Sequence, residues 1–123
     1  MAQIEGGCMC GKIRFKLTTA PIHQTNCHCA DCRRAVGAQA VAWVTVPKER
    51  FVVTQGNPKP FISSPKAART FCENCGTSLT YTNIDRPNDI DITTGSLDKP
   101  EAFPPNKDVF PRERLHWVTA VMT

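Results

Sequence analysis

The chain contains no apolar run of about 18 residues, the length a membrane-crossing helix requires. Its start, "MAQIEGGCMCGK", shows no basic stretch followed by an apolar one, so no secretory leader is expected. Together these absences set the expectation of a cytoplasmic protein whose thiols stay reduced. Aromatic residues are scarce: six Phe, two Trp and one Tyr among 123 residues. Something besides apolar burial is therefore expected to help hold so small a domain together. The excess of positive charge is modest, +4, and the basic residues form neither a cluster nor an aromatic-studded stripe. That argues against nucleic acid as a partner and slightly favours small anionic molecules. No internal repeat, low-complexity block or long linker appears, so one domain is expected across residues 1–123.

Turn formers and cysteine are plentiful instead: ten prolines, seven glycines and seven cysteines. The turn formers divide the chain into short β segments. "KIRFKLT" (12–18) alternates Ile13, Phe15 and Leu17, a strand with one face inward. "AVAWVTV" (40–46) reads as a buried strand closed by Pro47, and 50–56, 61–64, 67–72, 77–82 and 89–97 read as further strands. "LHWVTAV" (115–121) is expected to be a last strand. Residues 19–25, with Pro21, read as a loop, as does 98–114, with four prolines. Only 29–39 has helical character, a short helix ended by Gly37. The sum predicts an all-β domain with one short helix near the second cysteine group.

An odd number of cysteines does not suit a pure disulfide framework, and their spacing points to metal. They fall as Cys8 and Cys10 in "CMCG", Cys27, Cys29 and Cys32 in "CHCADC", and Cys72 and Cys75 in "CENCG". A C-x-x-C turn brings two sulfurs to one side of a knuckle, and the following glycine lets the backbone turn sharply. C-x-C on a strand also points both sulfurs to one face. Two such pairs complete a structural zinc tetrahedron, and Cys8, Cys10, Cys72 and Cys75 are the favoured set. Cys27, Cys29 and Cys32 then remain, three ligands with an exchangeable fourth position, the composition of a catalytic zinc site. Spacing leaves alternatives open. Cys8 and Cys10 could join Cys27 and Cys29, and His23, His28, Asp31 or His116 could supply a fourth ligand. His28 stands between two cysteines that face one way, so its ring should face the other. His23 lies in the expected loop and could reach. His116, beside Trp117, reads as a packed core-edge residue, and Asp31 reads as the cap of the short helix.

With "GGCMCGKIRF", "NCHCADCRR", "FCENCGTSL" and "RERLHWV" in order, nearly the whole chain resembles the glutathione-dependent formaldehyde-activating family, the domain shared with centromere protein V. The resemblance implies coiled antiparallel sheets of the Mss-four-like zinc-binding fold. It implies two zincs per chain: a structural one on Cys8, Cys10, Cys72 and Cys75, and a catalytic-type one on Cys27, Cys29 and Cys32, a site that could also be labile. It implies a carbon–sulfur lyase activity that joins glutathione and formaldehyde as S-hydroxymethylglutathione.

In that chemistry an incoming thiol would be held as thiolate beside a small aldehyde. His28 is a candidate proton donor. Arg33 and Arg34, directly after Cys32, are candidates to hold a glutathione carboxylate or to raise the local potential; the plainer reading makes them a solvated helix face. A thiol and an aldehyde are the expected partners. The alternative is a non-catalytic zinc-binding interaction module, or a labile-zinc or redox protein built on the same three cysteines. Oligomeric state is left open.

Overall fold

A computed structural model describes residues 3–121. Two sheets enclose the core. The smaller contains β1 (Ile4–Gly7), β2 (Arg14–Leu17) and β5 (Phe51–Gln55), in the order β1-β2-β5. The larger adds β3 (His23–Cys27), β4 (Val41–Pro47), β6 (Lys59–Ile62), β7 (Ala67–Phe71), β8 (Ser78–Asn83), β9 (Asp89–Thr93) and β10 (Lys107–Val109). Its order is β10-β3-β4-β9-β8-β7-β6. The one helix among the described residues, α1 (Ala30–Val36), follows the middle cysteines. No helix among the described residues is long and apolar enough to cross a membrane.

Alternation decides what meets between the sheets. Ile13, Phe15 and Leu17 form the inward row expected from the sequence, and all three are buried. On the larger sheet Val44 pairs with Ile92 and Val46 with Ile90, so these four side chains share a face. They pack with Phe15, Leu17 and Leu79 into the main core, and Phe51 tilts against Phe15 at 5.3 Å between ring centroids. The opposite face of the larger sheet is left for other use.

Several expectations need correction. Residues 19–25 are not wholly loop, because β3 begins at His23; its polar "HQTN" carries no apolar alternation, but β4 and β10 flank it. β1, with a single apolar residue in "IEGG", also forms, by pairing with β2. The proline-rich 98–114 contains β10, which pairs parallel to β3, the one departure from an antiparallel plan among the described strands. Residues 115–121 form no strand: Val118 N–H bonds back to Leu115 O, a turn, and only Val118 is buried. His116 is accordingly exposed and not packed at a core edge. Gly37 does end α1, at φ 74°, with its N–H on Arg33 O. The helix cap is the Cys29 sulfur, which accepts Cys32 N–H at 3.3 Å, whereas Asp31 lies inside the first turn.

Phe15 is the largest fully buried side chain. Phe15→Ala should destabilise the fold by about 3–5 kcal/mol with an unchanged denaturant slope, measured by urea unfolding. A loss under about 1 kcal/mol would mean that the two sheets do not depend on this contact.

Candidate metal centres and pocket

The first cysteine set forms where two turns meet. After β1 the chain turns at Gly11 (φ 82°), and after β7 it turns at Gly76 (φ 84°), a backbone conformation that suits glycine. Gly11 N–H bonds to Cys8 O and Gly76 N–H to Cys72 O, closing each knuckle. The knuckles present Cys8, Cys10, Cys72 and Cys75 with all four sulfurs within 4.8 Å of one another. Cys8 and Cys10 sulfurs lie 3.6 Å apart, and those of Cys10 and Cys72 3.8 Å. A tetrahedron with 2.3 Å Zn–S bonds has edges of about 3.8 Å. The set fits zinc, and the spacing is far too long for a disulfide. Backbone amides help to hold the charge, with Ile13 N–H reaching the Cys8 sulfur at 3.2 Å. The Thr77 hydroxyl, 3.2 Å from the Cys75 sulfur, is the largest influence drawing that thiol down to about 5.

The second set lies at the junction of β3 and α1. Cys27 ends β3, Cys29 caps the helix and Cys32 is in its first turns. Their three sulfurs lie within 4.8 Å of one another. No further His, Cys, Asp or Glu among the described residues joins them, so none of His23, His28, Asp31 and His116 is grouped with the three sulfurs. Three soft donors with no protein group in the fourth place suit a zinc site that exchanges one ligand. The hydrogen bond between Cys27 and Cys32 dominates their ionisation: it draws Cys32 down to about 5 and pushes Cys27 up, with burial adding to the rise. Burial is the main cause of the rise at Cys29.

All three cysteines line a pocket of about 560 Å³. Its floor is a single row across the larger sheet. By register His23 stands opposite Thr45, Thr45 opposite Asp91, Asp91 opposite Tyr81, and Tyr81 opposite Arg69. This is the face that the apolar core does not use. Four of the five, Thr45, Asp91, Tyr81 and Arg69, are held by side-chain contacts. Thr45 Oγ1 donates to Asp91 at 2.6 Å, and Arg86 closes a 2.6 Å ion pair on the same carboxylate. The Arg69 guanidinium lies 4.8 Å over the Tyr81 ring, and Arg69 Nη2 is 3.6 Å from the Cys32 sulfur. Trp43, 6.1 Å from Tyr81, lines the pocket beside them.

The arginine that meets the cluster is therefore Arg69, which sequence reading missed. It comes from a strand 37 residues away from Cys32, and only strand register brings it there. Arg33 turns elsewhere: its Nη1 donates to the carbonyls of His28 and Glu113. Arg34 is exposed and lines an adjoining groove. His28 is fully buried, its Nε2 is 2.7 Å from Asp108, and it does not line the pocket.

The two sets should fail differently when broken. Cys72→Ser, which removes a ligand from the set joining the two sheets, should cost at least ~3 kcal/mol of stability in metal-replete buffer, read by urea unfolding. Cys29→Ser should retain most of the native stability. Equal losses would show that the first set is no more structural than the second.

Comparison with known proteins bears on the fold and on the family. A solved Rhodobacter sphaeroides protein shares the fold at a TM-score of 0.68 and 21% identity, covering 85% of this chain and 99% of that one. An uncharacterized lyase of Schizosaccharomyces pombe is 34% identical over 96 residues, which is 71% of this chain. The match spans 64% of that relative's length. The family model described as glutathione-dependent formaldehyde-activating enzyme matches residues 3–113, and the chain belongs to that family.

Proposed function

We propose that this chain is a zinc-dependent carbon–sulfur lyase that adds a thiol such as glutathione to formaldehyde or another small aldehyde. One observation carries the reading: three cysteine sulfurs form part of the wall of a 560 Å³ pocket with no fourth protein ligand grouped with them. Cys27, Cys29 and Cys32 would hold the ion, which supplies a Lewis-acid position that keeps a bound thiol deprotonated near neutral pH.

In the addition, the thiol sulfur bonds to the carbonyl carbon as the C=O π bond breaks. The thiol's proton ends on the carbonyl oxygen, so atoms and charge balance. The chain's own residues act on this in three ways. Arg69 offsets the negative charge of three clustered thiolates through its contact with Cys32, the cation such a site needs to remain electrophilic. Trp43 and Tyr81 bring apolar surface to the reacting centre and reduce its access to water. Lys107, exposed on the same pocket, is positioned to attract the carboxylates of an anionic thiol. His28, buried on Asp108, would serve the reaction only indirectly, by fixing the junction of β3 and β10 between the cysteines.

Zinc-loaded protein should accelerate the disappearance of free formaldehyde in the presence of glutathione. Cys29→Ser should abolish that rate with the fold intact by circular dichroism. Full turnover in that variant would remove this mechanism. Arg69→Met should lower kcat/KM by roughly 10- to 100-fold, whereas an unchanged value would remove Arg69 from the chemistry.

A further inference from the structure

Phe110 is the only non-glycine among the described residues with a positive φ, at φ 52° and ψ 53°. Left-handed backbone is disfavoured for a bulky side chain. The surroundings explain why the turn is there. On one side Val109 is held in register with Cys27, and its carbonyl accepts the His28 N–H. On the other, Glu113 N–H bonds to Phe110 O, Glu113 Oε1 accepts the Ala30 N–H, and Glu113 O accepts Arg33. The chain must reverse at this one residue. Nothing in that demand calls for a phenylalanine, since glycine or asparagine would turn the chain with less strain.

Nor does packing explain the ring. Phe110 is 55% exposed and belongs to neither apolar cluster. It does line the pocket of Cys27, Cys29 and Cys32. Together with Trp43 and Tyr81 it gives that pocket three aromatic side chains in a chain that has only nine. The pocket's volume falls in the range of sites for drug-sized ligands. A one-carbon aldehyde has no use for such a rim, and a charged tripeptide thiol is better served by Lys107.

We infer that Phe110 is a specificity-determining residue whose ring forms the rim of a subsite for the substituent of the carbonyl substrate, and that this substrate bears an aromatic group. The inference rests on the thiol–aldehyde reading and names its second substrate class. The strain would be retained because this position, one residue beyond the partner of Cys27, puts Phe110 in the pocket lining.

The test uses the full zinc-loaded chain with glutathione and two aldehydes, formaldehyde and phenylacetaldehyde. Phenylacetamide, which cannot react, is titrated in parallel by calorimetry. The native protein should prefer phenylacetaldehyde in kcat/KM. Phe110→Gly should raise the phenylacetaldehyde KM roughly tenfold and weaken phenylacetamide binding similarly, while the formaldehyde KM moves less than about twofold. The same variant should be as stable as the native chain or more so in urea, because it relieves the backbone. Phe110→Tyr should restore native values. Equal shifts for both aldehydes, no shift for either, or a marked loss of stability in Phe110→Gly would overturn the assignment. Should no thiol–aldehyde pair react, the proposed reaction falls, and with it the aldehyde substrate. The phenylacetamide titration then decides alone whether Phe110 builds an aryl subsite: weaker binding in Phe110→Gly upholds it, and unchanged binding overturns it.

Discussion

Four sulfurs gathered within 4.8 Å of one another, with the Cys8–Cys10 and Cys10–Cys72 pairs at 3.6 and 3.8 Å, are the constraint on which this fold depends. Sulfurs so close, as thiolates, repel one another unless a cation lies among them. With one, the repulsion would give way to a link between two parts of the chain that are otherwise joined by packing and by hydrogen bonds such as Met9 N–H to Thr77 Oγ1. Cys8 and Cys10 follow β1 of the small sheet, and Cys72 and Cys75 stand between β7 and β8 of the large one. Cys8 and Cys72 are also members of the apolar core, so the clasp and the core are continuous. A chain with few aromatics would thereby gain what burial alone would supply weakly.

The clasp also determines what the other face of the large sheet can do. The turn between β7 and β8 brings the two strands together, and their register, after a shift between Thr70 and Phe71, places Arg69 beside Tyr81 and Tyr81 beside Asp91. From Asp91 the same row runs through Thr45 to His23. The pocket floor is thus a consequence of period-two geometry: residues that pack the core alternate with residues that line the pocket. Cys27 enters the pocket from the end of β3, and α1 folds Cys29 and Cys32 back toward it. One set of sulfurs is closed by four protein ligands; the other has three and opens on space.

What could be read from the residues follows the range over which each signal acts. Ile13, Phe15 and Leu17 announced β2, and Ile90 and Ile92 announced β9, because alternation is local. The cysteine groups were legible from their spacing, while their division into four and three rested on ligand count and on the family resemblance, because spacing alone left other pairings open. β3 was not, since its "HQTN" faces the pocket and an edge partner, and neither demands apolar side chains. β10 was hidden among prolines, and its parallel pairing with β3 is a long-range choice. "LHWVTAV" misled because apolar content was read as burial, whereas Trp117 is 63% exposed. Arg33 and Arg34 drew attention by adjacency to Cys32, yet the arginine in contact arrives through strand pairing. Arg69, Tyr81 and Phe110 carry no local signal, and only the assembled sheet brings them to the cysteines.

The central claim is that one chain carries two cysteine centres of different kinds, one closed and one open. Elemental analysis of zinc per chain, on protein purified without chelator, tests it most directly. The account predicts about two zincs per chain, with the second removed by mild chelation before the fold is lost. About one zinc, with Cys27, Cys29 and Cys32 recovered as free thiols or as a disulfide pair and a lone thiol, would contradict it.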